Sequence, residues 1–269
     1  MNQYPPSPQD SPVPPPQPPV APQRVRVQLP SGTPYLTYAI VAVTAIIYLL
    51  QVASARFLQY QSPYFADPIE ALGAMRADLI RQGQLWRFLT PLILHASIPH
   101  IFLNMWALIA FGASLERNFG RWRYLMLYLL AGFSGNVLSF LHLSGIDYSV
   151  GASTAIFGLV AAEGVFLYQN RKVFGRGARG AITNLVVVVV LNLLLGVIPG
   201  IDYWGHIGGL LGGLLFAWFA SPRWEVQGGM PNFYVADTRE PRDVITGAAL
   251  VILIFGALAI WGIVAPIVH

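Results

Sequence analysis

The 269-residue chain contains no cysteine, which excludes disulfides, a thiol nucleophile and any thiolate metal site. Charge is scarce as well. Asp, Glu, Lys and Arg together make up 10% of the sequence, and Lys172 is the single lysine. Against 55% hydrophobic residues and a mean hydropathy of +0.56, that scarcity excludes an ordinary soluble domain and reads as a membrane protein. There is no His-Glu-x-x-His run for a zinc site and no pair of intramembrane aspartates for an aspartyl mechanism, so no metal or other cofactor is expected. A net charge of +4 raises nucleic acid as a partner, but most arginines lie in short connections between apolar runs. They read as topology signals, and no nucleic acid is expected.

What is present divides the chain into four parts. Residues 1–34 hold 12 of the 21 prolines and almost no large apolar side chain, a composition expected to form a disordered tail with local polyproline II character. The tail lacks the basic start, apolar middle and small-residue cleavage site of a signal peptide. A core is expected over 35–220, a connecting loop over 221–243 and an additional transmembrane helix over 244–269. Since about twenty apolar residues cross a bilayer core, seven spans are predicted near 36–54, 98–116, 122–142, 152–169, 181–199, 204–220 and 244–267. The first two are separated by a long loop, about 55–97, too polar to span. Its Tyr64, Phe65, Leu72, Leu79, Leu85, Trp86, Phe88 and Leu89 predict a structured loop that touches the membrane.

Basic residues cluster before the first span and in every second connection thereafter, at Arg117, Arg121 and Arg123, at Arg171, Lys172, Arg176 and Arg179, and at Arg223, Arg239 and Arg242. The connections 143–151 and 200–203 have none. This places the N-terminus in the cytoplasm and the C-terminus, His269, outside. The long first loop breaks the pattern, as long translocated segments do. A prokaryotic plasma membrane is the expected location, and the oligomeric state is not legible.

Ionisable and strongly polar residues inside spans are costly and mark functional positions. His206 lies in "DYWGHIGGLLGG", where Gly205, Gly209 and Gly213 recur every fourth residue and give a face for close helix approach. Ser153 opens the span that carries Gly151, Gly158 and Ala162, a second small-residue face. In the deduced topology the fourth and sixth spans run in the same direction with Ser153 and His206 each in the first turn. Packing of the two faces therefore brings a serine to a base that can take its proton. The alternatives are a helix start for Ser153 and a singly hydrogen-bonded packing histidine for His206. On the second span His100 and Asn104 are four apart on one face, also near the outer end. They are either donors to a developing oxyanion or a cap on that span.

These residues resemble the rhomboid intramembrane serine proteases over roughly 36–220. Trp86-Arg87 is similar to the family's loop motif, His95, His100 and Asn104 to its HxxxxHxxxN pattern, and Gly112, Glu116 and Gly120 to GxxxExxxG. Gly151 and Ser153 resemble the GxSx nucleophile motif, and His206, Gly209 and Gly213 the His-helix. The resemblance implies an all-α, six-helix bundle plus one C-terminal helix, a Ser153/His206 dyad with no aspartate, and His100, Asn104 and the Ser153 backbone N–H as oxyanion donors. It further implies Phe157 packed on the histidine, the fifth span as a lateral gate, and transmembrane segments of membrane proteins as substrates in the lipid bilayer. Thr154 stands where many members carry glycine, and a β-branched residue there is expected to restrict the turn presenting Ser153. Glu116 is expected to cap or pair with Arg117, Arg121 or Arg123; Glu163 is expected to find a partner or be protonated; Asn136, Asn184 and Asn192 are expected to bond between helices.

Two other classes compete. A catalytically inactive rhomboid-like binding protein is marked by loss of the serine or histidine, and both remain. A transporter or channel calls for repeated halves or broken helices at matching positions, and neither is evident.

Overall fold

Residues 27–143, 147–196, 200–229 and 231–265 are described by the computed structural model. Most of the proline-rich tail, residues 197–199 of the fifth span and residues 266–269 lie outside them. The end of the tail is ordered: Val27–Gln28 forms strand β1, because its backbone pairs in parallel with a later strand.

Helix α1 (Tyr35–Phe57) begins after Pro34 with no side-chain cap of its own. Its free N–H groups are taken up from far along the chain. The Glu116 carboxylate accepts from Leu36 N at 2.9 Å, Thr37 N at 2.7 Å and Thr37 Oγ1 at 2.8 Å. Of the two expected roles, cap or partner of a neighbouring arginine, Glu116 takes the cap, on a helix distant in sequence, and among the described residues it pairs with no arginine. A buried carboxylate gains more from three convergent donors at a positive helix end than from solvated guanidinium groups. Glu116→Ala strands those donors and is expected to lower stability by about 2 kcal/mol, the upper end of a lost cap. Glu116→Gln, which keeps one acceptor, is expected to cost less; thermal unfolding in detergent reads both.

The long loop is folded. Asp67 caps α2 (Pro68–Gly73) by accepting from Ile69 N and Glu70 N, both at 2.8 Å. Strand β2 (Met75–Arg76), α3 (Ala77–Arg81) and two 3-10 turns at Leu85–Phe88 and Thr90–Ile93 follow. Arg87 fastens this excursion, donating to the carbonyls of Ala74 at 2.6 Å and Ala71 at 2.7 Å and to Gln84 Oε1 at 2.8 Å. Trp86 Nε1 donates to Leu72 O at 3.0 Å, while Leu72, Leu85, Trp86 and Leu89 are left exposed.

Helix α4 (Ile98–Ala107), a π turn at Leu108–Gly112 and α5 (Ala113–Phe119) run on as one rod. Then come α6 (Arg121–His142), strand β3 (Tyr148–Ser149) paired antiparallel with β2, α7 (Ser153–Gln169), the short α8 (Arg171–Phe174), α9 (Arg176–Leu195) and α10 (Tyr203–Ala220). The centre of the bundle is α10 packed against α6 and α7. Its glycines make this possible on two sides. A Cβ at Gly209 would overlap the Thr154 carbonyl and one at Gly213 would overlap Gly158, so this stripe lies on α7. A Cβ at Gly208 would meet Ser134 O at 2.5 Å, and one at Gly212 would overlap the Ser134 side chain, so a second stripe lies on α6. The single face expected from Gly205, Gly209 and Gly213 is therefore two faces, as a helix held between two neighbours requires.

Strands β4 (Trp224–Gly229) and β5 (Asn232–Asp237) form an antiparallel hairpin, joined by β1, where a plain connecting loop was expected. Arg123 pairs with Asp237 at 2.6 Å, and Arg239 donates to Ser221 O at 2.8 Å and Gln169 Oε1 at 2.6 Å, tying the hairpin to α6, α7 and α10. Helix α11 (Pro241–Val264) packs on α6 and α10.

Among the described residues, five helical rods are long and apolar enough to cross a membrane: Tyr35–Phe57, Ile98–Phe119, Arg121–His142, Arg176–Leu195 and Pro241–Val264. The other two expected spans are α7, 17 residues long, and α10, 18 residues long and diluted by glycines and His206. Both stand inside the bundle, where neighbours replace lipid. The chain is a helical polytopic integral membrane protein.

Candidate active site

Ser153 is the first residue of α7 and His206 lies in the first turn of α10. The helices run in parallel, because Thr154 faces Gly209 and, one turn on, Gly158 faces Gly213. Ser153 Oγ and His206 Nε2 consequently lie 3.0 Å apart. Phe157, one turn beyond Ser153, stacks on the imidazole with ring centroids 4.3 Å apart and planes at 13°. His206 is buried, and its Nδ1 has no hydrogen-bond partner among the described residues.

The approach to Ser153 is set by Gly151, whose φ of +129° suits glycine. Its N–H donates to Pro91 O at 2.9 Å, and a Cβ there would come within 2.7 Å of His100 Nε2. Only a glycine lets the His100 ring come this close to the chain entering α7. His100 opens α4 under the Ser97 cap, which accepts from its N–H at 3.3 Å. Ser153, His206 and His100 thus meet at one end of the bundle. Asn104 is one turn along α4 and buried; its amide donates to His100 O at 2.9 Å and its Oδ1 has no partner among the described residues.

His95 stands behind His100, its ring edge-on at 5.0 Å. Burial, with His100 beside it, pushes the His95 imidazole down to about 3, so it is neutral. Neither ring nitrogen has a partner among the described residues. A 110 Å³ cavity adjoins it, lined by Gln51, Asp67, Glu70 and His95 together with apolar side chains such as Val52 and Ala55. Burial also raises the Glu70 carboxyl, against a backbone N–H bond from Ala66 that lowers it. Trp86, Arg87 and Glu116 lie away from the serine–histidine contact and brace the loop and α1.

Thr154 is buried with its Cβ against Gly135 of α6, where a side chain at 135 would leave no room. The branched side chain is thus accommodated by a glycine on the neighbouring helix, and the first turn of α7 remains helical. Glu163 Oε2 is buried without a hydrogen-bond partner among the described residues. Asn136 donates to Phe88 O of the loop at 2.9 Å rather than to another helix, and Asn192 donates to Val188 O of its own helix at 2.8 Å. Asn184 is exposed.

A mostly apolar cavity of 190 Å³ lies between α4, α7 and α9, lined by Leu103, Trp106, Phe157, Val160, Val188 and Asn192 among others. Phe157 therefore borders this cavity and stacks on His206. Helix α9 is the least buried of the five long apolar rods, with Ala178 its one buried residue among those described. Reading from sequence missed Asp202, which accepts from Gly205 N at 2.8 Å and caps α10. The signal was present: an aspartate three residues before a glycine at a helix start.

Fold and site define a class: a polytopic helical membrane protein in which two parallel, glycine-packed helices bring a serine and a histidine into contact. The Rhomboid domain profile matches residues 82–223, more than half of the chain, and the chain belongs to the rhomboid family. It is 37% identical over 189 residues to "Rhomboid protease GluP" of Bacillus subtilis (strain 168), covering 70% of this chain and 35% of that protein. It is 34% identical over 151 residues to "RHOMBOID-like protein 9, chloroplastic" of Arabidopsis thaliana, covering 56% and 34%. With "RHOMBOID-like protein 6, mitochondrial" of the same plant the identity is 39% over 149 residues, covering 55% and 48%. The chain thus spans about a third to a half of the length of these curated relatives.

Proposed function

We propose that the protein is an intramembrane serine endopeptidase that cleaves transmembrane segments of membrane proteins. The observation that carries this reading is the 3.0 Å contact between Ser153 Oγ and His206 Nε2, with the imidazole held face-on by Phe157. A serine hydroxyl is a weak nucleophile until a neutral base takes its proton. In the proposed reaction Ser153 Oγ bonds to the scissile carbonyl carbon as its proton passes to His206 Nε2. The negative charge that builds on the carbonyl oxygen is met by the Ser153 N–H, free of an intrahelical partner at the helix start, and by His100. Asn104 lies further back, and its free amide hydrogen is the part available to this role. His206 then protonates the leaving amine, and a water activated by the same imidazole releases the acyl group from Ser153.

The apolar cavity beside Phe157 and the small part of α9 that is buried against the bundle support lateral access for a helical substrate from the bilayer. The charge pattern supports a cytoplasmic N-terminus, with the serine–histidine end of the bundle towards the outside of a prokaryotic plasma membrane. Retention of both Ser153 and His206 favours a protease over a binding relative.

Purified protein reconstituted in liposomes with a tagged single-pass substrate tests the reading. Two fragments are expected whose new ends map within or next to the transmembrane segment. Substrate that co-purifies intact, with no fragments after prolonged incubation, would replace the protease with a binding protein.

A further inference from the structure

No side chain among those described bonds the far nitrogen of His206, so the orientation of the base depends on Phe157 and on the turn of α10 that carries the histidine. That turn is held by one carboxylate. Asp202 Oδ1 accepts from Gly205 N at 2.8 Å, and the Asp202 carbonyl accepts from His206 N at 3.1 Å. The other oxygen, Oδ2, accepts from Ser139 Oγ and Ser149 Oγ, both at 2.6 Å. Two hydroxyls thus converge on one carboxylate oxygen. Ser139 is in α6, and Ser149 is in β3, two residues before Gly151 and four before Ser153. Both serines are buried.

We propose that Asp202 is a positioning residue for the proteolytic reaction: one carboxylate joins the His206 turn to the strand that delivers Ser153, with α6 as the fixed wall, and so sets the serine–histidine separation. The inference rests on the serine-protease reading above. The chain entering α7 is held at Gly151 only through its backbone, by the N–H to Pro91 O, and among the described residues no side chain bonds the base to orient it. A link between the segments ahead of nucleophile and base fixes the two relative to each other. Two acceptor oxygens suit the task because one serves the helix cap and the other the two serines. An asparagine offers oxygen on one side only, so the cap and the two hydroxyls cannot all donate to it.

The test is a cycle of variants read by the rate of fluorophosphonate labelling of Ser153 and by kcat and KM for a transmembrane substrate in liposomes. Asp202→Ala is expected to slow labelling and kcat about a hundredfold, the cost of a displacement on the order of 1 Å, while KM, set by the lateral cavity, stays near wild type. Asp202→Asn is expected to fall between the two. Ser149→Ala alone is expected to slow labelling, yet to add nothing on the Asp202→Ala background, because the link is already gone. Labelling of folded Asp202→Ala at the wild-type rate, with only the melting temperature reduced, would reduce Asp202 to a helix cap and overturn the proposal. So would a Ser149→Ala loss that adds in full. If Asp202→Ala does not fold, Ser139→Ala and Ser149→Ala decide: wild-type kcat in both overturns the proposal, and reduced kcat at unchanged KM supports it. Wild-type protein that neither labels nor cleaves would sink the protease reading and this inference with it, an outcome distinct from variants that match an active wild type.

Discussion

Ser153→Ala is expected to lower kcat for a transmembrane substrate by about a millionfold, and His206→Ala by a similar factor, the scale seen when a nucleophile or its base is removed from a serine protease. The two side chains act on one shared proton. With Oγ and Nε2 in hydrogen-bond contact, loss of either leaves the other without chemistry. The double variant should therefore be no slower than either single variant. Both side chains are small parts of a large glycine-packed interface, so melting temperatures should change little. Kinetics in liposomes, with intact mass to exclude wild-type contamination, checks this. Losses that multiply in the double variant would mean that the two residues do not act as one unit.

A second large effect is expected from packing alone. Gly209→Leu places a Cβ where the Thr154 carbonyl already is. That neighbour is backbone and cannot rotate away. The helices must separate, and overpacking of this kind costs about 1–3 kcal/mol, more where backbone is the obstacle. The same separation moves Ser153 from His206, so labelling should fall by at least about a hundredfold even in the fraction that remains folded. Gly164→Ala is the control: it lies on α7, and nothing comes within 4 Å of a Cβ there. It should label as wild type and, as a Gly-to-Ala change within a helix, lose no stability. Wild-type labelling by Gly209→Leu would mean that the close contact of α7 and α10 does not assemble the site.

The comparison of sequence with structure turns on the range of each interaction. Ser153 and His206 could be placed level with each other because both open helices two spans apart in the chain, and alternate crossings make such helices run in the same direction without any knowledge of contacts. Small residues at four-residue spacing likewise announced close packing. Their division into one stripe for α7 and another for α6 was not legible, since the run "GHIGGLLGG" offers glycine on adjoining faces and only the neighbours decide which face each serves.

A cap was one of the two roles expected of Glu116, but which helix it caps was not legible, because its nearest charges in the sequence are arginines whereas its partners, Leu36 and Thr37, lie about eighty residues away. Asp202 was readable as a cap, but the convergence of Ser139 and Ser149 on it depends on two loop paths that no local pattern encodes. The hairpin at 224–237 was legible and passed over: "WEVQGGMPNFYVAD" has a glycine-rich turn between segments with strand character. Thr154 looked like an obstacle when read beside Ser153 alone; Gly135, on another helix, provides the space.

The most direct measurement of the central claim is the site of covalent modification. Detergent-purified protein is treated with a fluorophosphonate, digested and mapped by mass spectrometry, beside His206→Ala treated in the same way. One phosphonyl adduct per chain is expected, on Ser153, formed at a rate that collapses in His206→Ala. No adduct on wild type, an adduct on another serine such as Ser149, or equal modification of His206→Ala would contradict it.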